Sequence, residues 1–121
     1  PVIGKLARKF GQKDAAGQKN KGVHLKTAPK AQVVAPFEGR VEFSGLFNDD
    51  HVVILNVGSG YFIVLTGLGD SFADAGSRVD AGELLGVMPS RSAELFMEMR
   101  KDRSSIDPMP WISRALAASR Q

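Results

Sequence analysis

The run Ser92–Arg100, SAELFMEMR, sets Glu94 and Glu98 four residues apart in a stretch that alternates polar and apolar side chains. On an extended strand, residues four apart project to the same side, and a rise of about 3.3 Å per residue separates them by about 13 Å. Carboxylates that act as a pair on a glycosidic bond sit about 5–9.5 Å apart, so these two do not form such a pair by themselves. Other bases and metal ligands are scarce. The only histidines are His24 and His51, whereas a catalytic zinc takes three protein ligands. His24 falls within the alternating run GVHLK, where a lone histidine is more often structural than a ligand. The chain has no cysteine, which removes disulfides and thiolate metal sites. It also lacks a G-x-S-x-G elbow, an H-E-x-x-H pair and a Walker loop.

The elements that must position these groups read as short strands. Val23-His24-Leu25 and Val33-Val34-Ala35 are brief β-like runs, the second ending at Pro36. GRVEFSG alternates, with Val41 and Phe43 expected inward and Arg40 and Glu42 outward. HVVILNV, His51 to Val57, is a continuous apolar strand suited to a central position, and VGSGY is a hairpin turn that returns the chain through Tyr61 to Leu65. Glycines at 69, 76, 82 and 86 punctuate further short strands, and ELFMEMR is the last long one. A helix is expected over 110–119, with Pro110 in its first turn and Trp111, Ile112, Ala115, Leu116 and Ser119 on one face. The fold class is mainly β, an antiparallel sheet or sandwich with one short C-terminal helix. Residues 1–19 read as an N-terminal strand and basic loop of the same domain, and residues 20–121 as its body.

The chain has 121 residues, 43% apolar and 24% charged, a mix that suits one soluble globular domain. No run of about 18 apolar residues is present, so no helical membrane span is expected. The chain begins at Pro1, as an excised or mature piece would. Residues 1–30 hold Lys5, Arg8, Lys9, Lys13, Lys19, Lys21, Lys26 and Lys30 against Asp14 alone. Such a segment is a solvated basic edge or a contact for an anionic polymer or acidic partner. Nucleic acid is not expected, because no recognition motif is present and aromatic residues are too few, at 7%, for base stacking. A monomer is expected.

Four segments come in a recognisable order: KGVHLKTAPKAQVVAPFEGRVEFSG, VVILNVGSGYFIVLTGLG, AGSRVDAGELLGVM and ELFMEMRKDRSSIDPMPW. Over about residues 10–113 the chain resembles the LytM domain, the lysostaphin-type zinc endopeptidases that cut peptidoglycan cross-links. In active members a histidine and, four residues later, an aspartate hold the zinc. The matching positions in NKGVH are Asn20 and His24. The third ligand is the second histidine of a His-x-His strand, and Phe96 stands there. The first histidine of that pair is catalytic and is matched by Glu94. A further catalytic histidine is matched by Gly67. Phenylalanine cannot bind zinc and glycine cannot take a proton, so the resemblance implies a degenerate domain with no cofactor and no hydrolysis of its own.

The pattern is similar to the EnvC-type murein hydrolase activators, degenerate LytM factors of Gram-negative bacteria. That resemblance implies a periplasmic domain that binds a zinc-dependent N-acetylmuramoyl-L-alanine amidase through its regulatory helix and activates it, so that septal peptidoglycan is split and daughter cells separate. Full-length members carry a signal and a coiled coil upstream. The positions matching the partner-binding trough are Lys21, His24, Val52, Phe96 and Arg100. Phe96 is the expected apolar anchor, and Lys21 and Arg100 the expected contacts for acidic groups or carbonyls. Each also has a plainer reading: Val52 as core, Lys21 as a solvated charge, and Arg100 as a partner of Glu98 or Asp107. Glu94 is expected to pair with Arg100 or a lysine of the partner. Two other functions stay open at this level, a peptidoglycan-binding module and a residual metalloendopeptidase with a non-standard zinc site.

Overall fold

Runs rich in valine, isoleucine and leucine become the long central strands, because β-branched and apolar side chains suit a pleated surface buried on at least one face. The computed structural model describes residues 4–8, 10–13, 21–102 and 104–110. Its strands are β1 (Gly4–Arg8), β2 (Val23–Thr27), β3 (Gln32–Val34), β4 (Gly39–Phe47), β5 (Asp50–Gly58), β6 (Tyr61–Leu68), β7 (Asp70–Ser71), β8 (Arg78–Val79), β9 (Leu84–Val87), β10 (Glu94–Lys101) and β11 (Ser104–Ile106). An eight-stranded sheet runs β1-β2-β10-β6-β5-β4-β8, with β11 also paired to β10, and a three-stranded sheet runs β3-β9-β7. Every pairing is antiparallel. The helix expected over 110–119 lies, beyond Pro110, outside the described residues.

The core sits between the two sheets. Leu95, Met97 and Met99 of β10 join Val53 and Leu55 of β5, Ile63 and Leu65 of β6, and Val23 and Leu25 of β2. Val33 and Leu85 of the small sheet cover them, and both are fully buried. Because side chains alternate along a strand, this inner row leaves Glu94, Phe96, Glu98 and Arg100 on the outer face of β10.

Two hairpins fix the registers of the central strands. Asn48 and Asp49, at φ 50° and 68°, form the two-residue link between β4 and β5, the left-handed pair that matches strand twist and that Asn and Asp tolerate. Gly58-Ser59-Gly60, at φ 92°, 55° and 81°, joins β5 to β6 at the expected turn.

One expected inward residue turns outward. A register shift between Val41 and Phe43 sets Val41 opposite Leu55 but Phe43 opposite Ile54. This β-bulge adds a residue to β4 and reverses the alternation beyond it. Val41 is buried in the core, whereas Phe43 is half-buried alongside Ile54 on the outer face.

Candidate functional site

The outer face of the large sheet is built as cross-strand rows. His24 of β2 stands opposite Phe96 of β10. Phe96 stands opposite Thr66 of β6, Thr66 opposite Val52 of β5, and Val52 opposite Gly45 of β4. Val52 is only 6% exposed but does not belong to the core cluster, so it is covered from the outer side. The next row sets Glu98 opposite Val64, Val64 opposite Ile54 and Ile54 opposite Phe43. The result is a half-buried apolar floor with charged groups around it.

Three of the positions singled out from sequence close on one another. The His24 and Phe96 rings lie 4.6 Å apart at an angle of 37°, a contact worth about 0.5–1.5 kcal/mol. His24 Nδ1 lies 3.1 Å from Glu94 Oε1, with side-chain exposures of 23% and 39%. That is hydrogen-bond distance, worth under about 1 kcal/mol at such exposure. Glu94 pairs with His24, not with Arg100 as expected, because the β2–β10 register sets the two strands side by side and brings the imidazole to it. In the same register Lys26 is opposite Glu94.

Arg100 pairs with Glu98, Nε to Oε1 at 3.7 Å, a separation too long for a hydrogen bond. Glu98 instead accepts a hydrogen bond of 3.0 Å from the Ser105 hydroxyl. Asp107 is not the partner of Arg100; its Oδ1 accepts the Met109 N–H at 3.0 Å. Lys21 is exposed just before β2. Asn20 lies outside the described residues.

Two glycines shape the closure. At Gly22 an added Cβ would lie 2.2 Å from the Met97 carbonyl oxygen, so only glycine lets this end of β2 approach β10 closely enough to seat His24 on Phe96. Gly67 has φ +107°, and a Cβ there would lie 2.6 Å from the Glu94 carbonyl oxygen. With this backbone no side chain fits at position 67.

A zinc ion, implied by the family resemblance, does not fit these residues. Phe96 carries no donor atom and Gly67 carries no side chain, which leaves His24 and Glu94, two donors where three are needed. Among the described residues no group of three or more His, Cys, Asp or Glu side chains could hold a metal. Thr66 and the outer apolar residues Ile54, Phe62 and Val64 were not singled out from sequence. Their signal is the lack of alternation in HVVILNV and YFIVLT, which means that β5 and β6 are apolar on both faces.

The two-sheet antiparallel fold is shared with solved lysostaphin-type domains. The catalytic domain of lysostaphin from Staphylococcus simulans superposes with a TM-score of 0.81 at 20% identity, covering 91% of this chain and 92% of that domain. Helicobacter pylori Csd3 gives a TM-score of 0.80 at 18% identity, over 99% of this chain and 39% of that one. A chain of the SpoIIIAH and SpoIIQ complex gives 0.77 at 18% identity, over 88% of this chain and 91% of that one. No curated protein matches the sequence. Residues 18–108 match the model of peptidase family M23, and the chain belongs to that family, whose fold is normally that of a zinc endopeptidase.

Proposed function

We propose that this domain is a non-catalytic M23 domain of the Gram-negative periplasm that binds a zinc-dependent N-acetylmuramoyl-L-alanine amidase and activates it for septal peptidoglycan splitting. The observation that carries this reading is the mutual closure of His24, Glu94 and Phe96 on the outer sheet face. Groups at positions matched to zinc binding and catalysis satisfy one another, and the space for a side chain at Gly67 is filled by backbone.

What remains is a surface suited to a protein. Phe96 and Thr66 are the half-buried part of one row, beside the buried Val52, and Lys21, Lys26 and Arg100 are exposed cations around it. An amphipathic helix laid on a surface of this type would bury an apolar stripe and present acidic residues to the cations. The M23 fold is compatible with such use, since a chain of similar fold is solved in complex with a second protein.

The test is release of labelled peptidoglycan by a purified amidase, with and without the domain. Faster release, together with direct binding of the two proteins, supports the reading; no acceleration and no binding overturn it. Zinc analysis runs alongside. Equimolar zinc with peptidoglycan cleavage by the domain alone, both lost in His24→Ala, would establish a residual endopeptidase. Retention on purified sacculi without any amidase, and no effect on the amidase, would establish a peptidoglycan-binding module.

A further inference from the structure

We propose a second binding site, at the β4–β8 end of the sheet, for a peptide that ends in a carboxylate beside an apolar side chain. Arg40 and Arg78 are direct register partners on β4 and β8, and both are exposed. Residues directly opposite in an antiparallel pair hold their Cβ atoms about 4.5–5.5 Å apart, and like charges placed so repel each other. Neither arginine takes part in an ion pair among the described residues, whose pairs are His24–Glu94 and Arg100–Glu98. Two positive charges thus stand at neighbouring positions where an anion could bridge them.

Arg40 and Arg78 line a depression of about 290 Å³ together with Glu38, Asn56 and Gly58. A second hollow of about 480 Å³ adjoins it and shares Glu38, Val57 and Gly58. Its remaining lining is mainly apolar and includes Phe37, Tyr61, Ala81 and Met99. The Lys101 ammonium lies 4.3 Å from the Tyr61 ring centroid and donates a hydrogen bond to the Ser59 carbonyl, which braces that rim. The arginine-lined depression and the apolar hollow thus meet around the end of the sheet, at Glu38, Val57 and Gly58.

The chemistry selects the ligand. A guanidinium grips a carboxylate through two parallel N–H···O bonds, and two arginines at directly opposed register positions can converge on one terminal carboxylate. A side chain next to that carboxylate reaches the chamber floored by Val57 and Met99. Glu38 lines both hollows and is the acceptor available there for the peptide N–H. The site is distinct from the His24–Phe96 row. Arg40 stands opposite Asn56, four residues and about 13 Å along β5 from Val52.

The experiment is an NMR titration of the isotope-labelled domain with N-acetyl-alanyl-leucine, as the free carboxylate and as its C-terminal amide. No amidase is present, so the outcome is independent of the amidase reading. The carboxylate is expected to shift the amide signals of Arg40, Asn56, Gly58, Arg78 and Ala81, and the amide to bind at least about tenfold more weakly. Arg40→Ala and Arg78→Ala, with spectra otherwise unchanged, are each expected to weaken the carboxylate by a similar factor. Equal binding of carboxylate and amide, shifts centred on His24 and Phe96, or no shifts at millimolar peptide would each overturn the proposal.

Discussion

Phe96 and His24 face each other across the β2–β10 ladder, 4.6 Å between ring centroids, and the same imidazole reaches Glu94 at 3.1 Å. The contact ties the three side chains into one surface unit, so that a change at any of them alters the others.

Phe96→Asp places a charge in the centre of the half-buried row. The proposed function requires loss of amidase activation with the domain still folded, because Phe96 lies outside the core cluster. Phe96→Ala separates packing from charge: it is expected to lower stability by about 1–2 kcal/mol and to weaken activation. Circular dichroism melts and the release assay read the two effects, and full activation by Phe96→Asp would remove this residue from the interface.

The His24–Glu94 contact is partly exposed and should be modest. A double-mutant cycle with His24→Ala and Glu94→Gln is expected to give a coupling of about 0.2–1 kcal/mol, smaller at high salt. A coupling of several kcal/mol in urea denaturation would mean that the pair is far better shielded than its exposure indicates.

Gly67→His tests whether a histidine can stand at that position. The left-handed φ and the Glu94 carbonyl at 2.6 Å from an ideal Cβ predict a loss of about 2–4 kcal/mol. A thermal melt unchanged from wild type would show that β6 rearranges at little cost.

Gly22→Ala is expected to destabilise by a similar amount, about 2–4 kcal/mol, because its methyl would meet the Met97 carbonyl at 2.2 Å. It should also push β2 away from β10, visible as a changed His24 imidazole signal in NMR and as weaker activation. A destabilised variant with an unmoved His24 signal would show that the close approach does not set the ring contact.

Leu95→Ala, one position from Phe96 but fully buried, is the complementary control. It is expected to cost about 2–5 kcal/mol in stability, with activation retained at temperatures where the domain remains folded.

The long strands were legible because their composition is strongly biased. HVVILNV and ELFMEMR became β5 and β10, and the Gly58-Ser59-Gly60 turn falls where its residues demand. Phe43 was misread because a bulge is a local choice between two registers, and alternation alone does not reveal it. The partner of Glu94 was hidden for another reason. His24 and Glu94 belong to segments far apart in the chain, and only the β2–β10 register brings them together. The Arg40–Arg78 juxtaposition was illegible in the same way, since β8 is a two-residue strand whose pairing partner the sequence does not announce.

The strict alternation of β10 makes it two interleaved texts in one strand. Leu95, Met97 and Met99 spell the inner one, and Glu94, Phe96, Glu98 and Arg100 the outer one. A substitution in the outer text leaves the inner reading intact, so the face of the sheet can be rewritten letter by letter without a change of fold.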